Sequence, residues 1–199
     1  MRSFRRLVAL TAVGIGLLAA ANPAGAQGLG ARGGVNFSNI VFDDPDLLAT
    51  EARADFLAGG FATFRREAAI GLQIEAQVAR RTVRFEPTID DTMTYLEVPV
   101  LVRVGVYRGD RLVIHGLGGV SANYLISATE SVAGAGPDDI APAIEPWDVA
   151  LVIGADAQVR RRWIIGARFF YGLLQVYREH GDFPARQQGF QVTAGYRFR

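Results

Sequence analysis

The chain has 199 residues, half of them hydrophobic and 21% charged, with 23 glycines and a formal net charge of +1. This balance suits one folded domain, excludes a disordered or collagen-like chain, and offers no strongly basic surface for nucleic acid. The absence of cysteine excludes disulfides, thiolate metal sites, a cysteine nucleophile and a lipidated N-terminal cysteine.

Residues 1–26 have the pattern of a secretory signal. Arg2, Arg5 and Arg6 precede an apolar run from Leu7 to Ala21, Pro23 breaks it, and Ala24-Gly25-Ala26 is an A-x-A cleavage site before Gln27. Cleavage there would leave residues 27–199 as the domain and, with the three arginines gone, take the net charge from +1 to −2. No later stretch reaches the ~18 uninterrupted apolar residues of a transmembrane helix.

From there the dominant period is two. Segment 29–38 sets Leu29, Ala31, Gly33, Val35 and Phe37 against Arg32, Gly34, Asn36 and Ser38. Segment 55–65 is less regular, with Phe56, Ala58, Ala62 and Phe64 opposite Asp55, Thr63 and Arg65. Segment 70–78 sets Ile70, Leu72, Ile74, Ala76 and Val78 against Gly71, Gln73, Glu75 and Gln77. In 96–106, Leu96 and the even-numbered valines oppose Glu97, Pro99, Leu101, Arg103 and Gly105. Segment 112–126 opposes Leu112, Ile114, Val120, Ala122, Tyr124 and Ile126 to His115, Ser121 and Asn123. Segment 148–160 opposes Val149, Leu151, Ile153, Ala155, Ala157 and Val159 to Gly154, Asp156, Gln158 and Arg160. Segment 163–174 opposes Trp163, Ile165, Ala167, Phe169 and Tyr171 to Gly166, Arg168, Phe170 and Gly172. The last, 190–198, opposes Phe190, Val192, Ala194, Tyr196 and Phe198 to Gln191, Thr193, Gly195 and Arg197.

These segments predict an all-β fold of eight strands, each of about 10 or more residues, long enough to cross a bilayer at the usual tilt. The connections alternate. Arg65-Arg66-Glu67, Arg108-Gly109-Asp110 and Arg160-Arg161-Arg162 are tight, while 40–53, 80–94, 127–147 and 178–188 are long. That rhythm predicts an antiparallel up-and-down transmembrane β-barrel in a Gram-negative-type outer membrane, with short periplasmic turns and both termini on that side. The apolar face would meet lipid, and Phe37, Phe64, Tyr124, Trp163 and Phe198 would form interfacial girdles. The alternative is a soluble lipocalin-like barrel or sandwich with the apolar face inside; period two alone does not choose between them.

Several stretches also resemble a known family. Gly30-Ala31-Arg32-Gly33-Gly34-Val35-Asn36-Phe37-Ser38-Asn39 resembles the first strand of the outer-membrane β-barrel domain family, the small PorT-like barrels also called the porin family. Tyr95-Leu96-Glu97-Val98-Pro99-Val100-Leu101 resembles its central Tyr-Leu-Glu-Ile-Pro element. Gly166-Ala167-Arg168-Phe169-Phe170-Tyr171-Gly172-Leu173 and Gly195-Tyr196-Arg197-Phe198 resemble its last two strands. The resemblance implies location and fold more than activity. It also implies recognition by the barrel-assembly machinery through a terminal aromatic; here Phe198 is followed by Arg199.

By parity Arg32, Glu75, Glu97, Arg103, Asp156, Arg168 and Arg197 face inward. Buried charges need partners, so an interior ion-pair network is expected, acting as a polar plug rather than an ion conduit. Pro99 removes a ladder donor and would normally demote a strand; its place in the element that resembles the family implies a local bulge instead. His115 and Ser121 share a face, but six strand positions put them about 20 Å apart. No Ser–His pair is therefore expected on that strand, and two scattered histidines, His115 and His180, make no transition-metal site. Asp43-Asp44-Pro45-Asp46 and Pro137-Asp138-Asp139 read as solvated turns, not calcium loops. Pro146-Trp147 reads as an interfacial anchor, and Gly116-Leu117-Gly118-Gly119 as a barrel bend.

No catalytic residue, cofactor site or metal site is assigned. The expected partners are outer-membrane lipids, lipopolysaccharide and the assembly machinery, for a monomer with a structural or surface-interaction role. The alternatives are a small passive pore, a lipid-modifying barrel enzyme and the soluble binder.

Overall fold

The computed structural model describes residues 28–42, 50–65, 69–86, 89–177 and 185–198. The expected signal segment, Arg66-Glu67, Asp43, Asp44, Asp46, His180 and Arg199 lie outside the described residues.

Among the described residues nine strands follow in order: β1 (Gly28–Phe42), β2 (Glu51–Phe64), β3 (Ile70–Glu86), β4 (Ile89–Arg108), β5 (Leu112–Val132), β6 (Asp138–Asp139), β7 (Trp147–Val159), β8 (Trp163–Gly172) and β9 (Ala185–Arg197). Eight of them form a closed antiparallel ring, β1-β2-β3-β4-β5-β7-β8-β9, and β9 pairs back on β1 through Val35↔Val192 and Phe37↔Phe190. The two-residue β6 adds to the edge of β5. Closure leaves no unpaired edge in the spanning region, as hydrocarbon demands of a sheet.

Alternation sets the two faces. Val102, Ile153, Ile165 and Val192 point outward and are exposed, whereas Arg32, Glu75, Asp156 and Arg168 point inward and are buried. An outer wall of this kind fits lipid and removes the lipocalin-like alternative, which needs the opposite arrangement. At one end Tyr124 stacks on Trp147 with ring centroids 4.8 Å apart. At the other, Trp163, Tyr196 and Phe198 form a second cluster, with successive centroids 5.0 and 5.9 Å apart. β7 runs from Trp147 to Val159, whose register partner is Trp163. At ~3.3 Å per residue and a tilt of about 40° the clusters stand roughly 30 Å apart, the thickness of a bilayer core. Phe37, Phe190 and Phe169 add an outward row across β1, β9 and β8 through direct register pairs.

The structure corrects several expectations. The stretch 80–94 is not a loop: β3 continues to Glu86 and β4 starts at Ile89, so only a tip separates them. Arg84 donates to both carboxylate oxygens of Asp90, through Nε and Nη2 (2.7 and 2.8 Å), and the Thr82 and Thr92 hydroxyls meet at 2.9 Å. Cross-strand pairs of this kind keep a hairpin ordered beyond the bilayer. Nor does Pro99 make a bulge. It pairs in register with Ser121, and the β3–β4 register is the same at Ile74↔Val100 and Gln77↔Glu97. The ladder skips the positions opposite Val98 and Pro99, which accommodates the missing donor without an extra residue. The β4–β5 irregularities fall instead at Thr94/Tyr95 and Gly105/Tyr107.

At the short-turn end Arg65, Arg160 and Arg161 have positive φ (52°, 48° and 63°), so Arg65 and Arg160 are exposed turn residues rather than interior ones. Arg162 N–H closes on the Val159 carbonyl at 3.2 Å, giving the two-residue left-handed turn that matches hairpin twist.

Candidate functional site: the barrel interior and its two mouths

The interior is layered. In the lower-middle layer Glu75 accepts from both terminal nitrogens of Arg168, at 2.8 Å each, and lies 3.3 Å from Arg32. Asp156 accepts from Arg32 at 2.9 Å and stands 3.6 Å from Arg168. The four side chains come from β1, β3, β7 and β8, so the two acids and two bases cross-link distant parts of the ring. Gln73 donates to Glu75, and Phe61 from β2 packs under the Arg32 guanidinium at 5.0 Å.

The next layer joins Arg81 to Glu97 and Gln187, with Gln77 donating to Glu97 at 2.6 Å and Gln191 at 3.4 Å. The Arg81 guanidinium also lies over the rings of Tyr95 (4.9 Å) and Phe170 (4.2 Å). Such stacking suits a planar, weakly hydrated guanidinium. The cavity left between these two layers is about 10 Å³, room for one water at most. Alongside it, Ser121 donates to Asn123 at 2.6 Å and Asn123 to Asp148 at 3.0 Å.

All seven charged positions assigned from parity are buried. Arg32, Glu75, Asp156 and Arg168 meet in one cluster, Glu97 belongs to the layer above, and Arg103 sits apart against His115, with Nη2 3.1 Å from Nδ1. Arg197 is buried on β9 toward the short-turn end. Sequence reasoning missed Arg81 because 80–94 read as a loop; the parity of Gln73, Glu75 and Gln77 runs straight on to it. Asp148 was legible in the same way from Asp156. The interior is also less uniformly polar than expected: Leu101, Leu117, Ala150, Val152 and Phe170 form an apolar wall on β4, β5, β7 and β8.

At the long-loop end, Ile40, Val83, Met93, Tyr95, Leu125, Ala128, Ile144, Val176 and Ala185 make a separate apolar cluster. Two connecting segments close over it. Ile144 bridges to Tyr177, Glu145 N–H donates to the Val176 carbonyl and Leu125 N–H to the Pro146 carbonyl, both at 2.8 Å. Tyr177 donates to Asp91 at 3.1 Å. Burial pushes the Asp91 carboxyl up to about 6; Tyr177 opposes this, and Glu130 and Asp90 reinforce it.

Ser121 and His115 form no pair: the hydroxyl is bound to Asn123 and the imidazole to Arg103. Asp138 and Asp139 lie on β6 opposite Glu130 and Thr129, and among the described residues no three potential ligands gather for a metal ion.

Residues 22–178 match the family model for the outer membrane protein beta-barrel domain. The chain belongs to this family. Among solved structures, it is similar to Neisserial surface protein A, at 11% identity over 87% of this chain and 99% of that one, with a TM-score of 0.54. Ail, the attachment invasion locus protein of Yersinia pestis, is 16% identical over 86% and 98% of the two chains, with a TM-score of 0.49. OprG from Pseudomonas aeruginosa is 15% identical over 88% and 97%, with a TM-score of 0.47. No curated protein matches the chain. The first of these similarities supports the shared barrel fold and nothing finer.

Proposed function

We propose that this outer-membrane barrel is a closed, monomeric scaffold with a structural or surface-interaction role. In this reading it is exported by a signal cleaved after Ala26, folded by the assembly machinery and embedded among lipopolysaccharide and phospholipid. Its short turns face the periplasm, and the part that meets other molecules is the extension of β3, β4 and β5 beyond the Tyr124–Trp147 level.

The observation that carries the reading is occlusion. The Arg32–Glu75–Asp156–Arg168 and Arg81–Glu97 layers fill the bore, and the apolar cluster beneath Ile144 and Val176 stoppers the long-loop end. The network acts as a plug that ties opposite walls together and holds register, because a slip of one residue would carry these charges to the lipid face. Planar bilayers containing refolded protein test it: the expected result is a silent membrane. Sustained single-channel openings from wild-type protein would instead support the passive-pore reading.

A further inference from the structure

Below the ion-pair layers, an open vestibule of about 640 Å³ lies at the short-turn mouth, between the ends of β4–β5 and β7–β8. Its lining includes Arg108, Arg111, Arg161, Gln158 and His115, with Asp110 the one acid. We propose that this vestibule is a binding site for a compact phosphate-bearing anion presented from the periplasmic side.

The size falls in the range of small-molecule sites, ~300–1,000 Å³. Three arginines line it, Arg108 at the end of β4 and Arg111 and Arg161 on two hairpin turns, and guanidiniums match phosphate oxygens in pairs of parallel hydrogen bonds. The roof adds to this. Arg103 has only donors to offer, so the His115 Nδ1 it meets at 3.1 Å must accept, and the ring proton resides on Nε2. An imidazole lining the cavity is thus held as a neutral donor, in the tautomer an anion can use. Asp156, the register partner of His115, is already engaged by Arg32 at 2.9 Å.

The floor is built as well as charged. Arg161 occupies a left-handed position (φ 63°) where glycine or asparagine is usual, and Gln158 Nε2 fastens its carbonyl at 2.6 Å. The periplasmic placement rests on the orientation proposed above. The binding itself does not, because both faces of a nanodisc are exposed to solution.

The probe is inorganic pyrophosphate, titrated by calorimetry into the full barrel in phosphatidylcholine nanodiscs at low salt. The expected result is saturable binding, weakened at least tenfold by Arg111→Gln with Arg161→Gln and unchanged by Arg80→Gln at the opposite end. Both variants must keep the wild-type gel shift on boiling. Repetition in nanodiscs containing phosphatidylglycerol separates the sources: loss of pyrophosphate binding identifies a lipid headgroup as the natural occupant, and unchanged binding a soluble phosphate compound. Wild-type protein that takes up no pyrophosphate in phosphatidylcholine at millimolar concentration overturns the proposal. So does a folded double variant that binds it as well as wild type.

Discussion

Arg168 and Glu75 face each other across the barrel as a fully buried, two-pronged ion pair, with both nitrogen–oxygen distances at 2.8 Å. They lie 93 positions apart in the chain, on β8 and β3, so the pair forms only once the ring has closed.

Removing one partner should therefore be far worse than removing both. Glu75→Ala leaves Arg32 and Arg168 facing only Asp156, and should cost about 3–5 kcal/mol, the usual penalty of an orphaned buried charge. The paired change Glu75→Leu with Arg168→Met should recover most of that loss. Urea unfolding of the barrel in lipid vesicles measures both; equal destabilisation by the single and double variants would count against the network.

A charge on the outer wall should be costly in a way no soluble protein would show. Ile153 stands midway along β7 and is 66% exposed, so in water Ile153→Arg would be nearly neutral. At the centre of a bilayer it should cost roughly 2–4 kcal/mol. The same vesicle assay reads the difference, and a neutral result would place this face in water.

The cap at the long-loop end should tighten on acidification. The Asp91 carboxyl is raised to about 6, above its ordinary value near 3.8, so the closed cap binds a proton that the open one releases. Its stability should rise as pH falls through 6 and level off below about 4. Asp90, held low by its hydrogen bonds to Arg84, contributes with the opposite sign and only at lower pH. Protection of the amides of 173–177 against hydrogen exchange, corrected for intrinsic rates, should be greater at pH 5 than at pH 8. Asp91→Asn should flatten that difference.

The Arg160-Arg161 turn should trade stability against charge. Arg160→Asn with Arg161→Gly supplies the residues such a turn favours and should stabilise the barrel by about 0.5–1 kcal/mol. The same change removes cationic side chains from the short-turn mouth, so it should raise the unfolding midpoint in urea while weakening pyrophosphate binding.

Alternation by itself determined the eight spanning strands, the tight turns and the inward parity of Arg32, Glu75, Asp156 and Arg168, because side chains on a strand alternate by geometry regardless of what surrounds them. Alternation fades where polar residues outnumber apolar ones. Asp90 and Asp91 therefore looked like a loop, although Arg84 and Tyr177 hold them in an ordered hairpin. Only the tertiary structure decided who pairs with whom. Arg32 meets Asp156 across 124 positions, and Arg81 meets Gln187 across 106. Ring closure and stagger set those distances, and neither is written into any single strand. The same holds for the apolar wall of Leu101, Leu117, Val152 and Phe170 and for the arginines that gather at one mouth: parity says which way a side chain points, and the closed barrel alone says what it meets there.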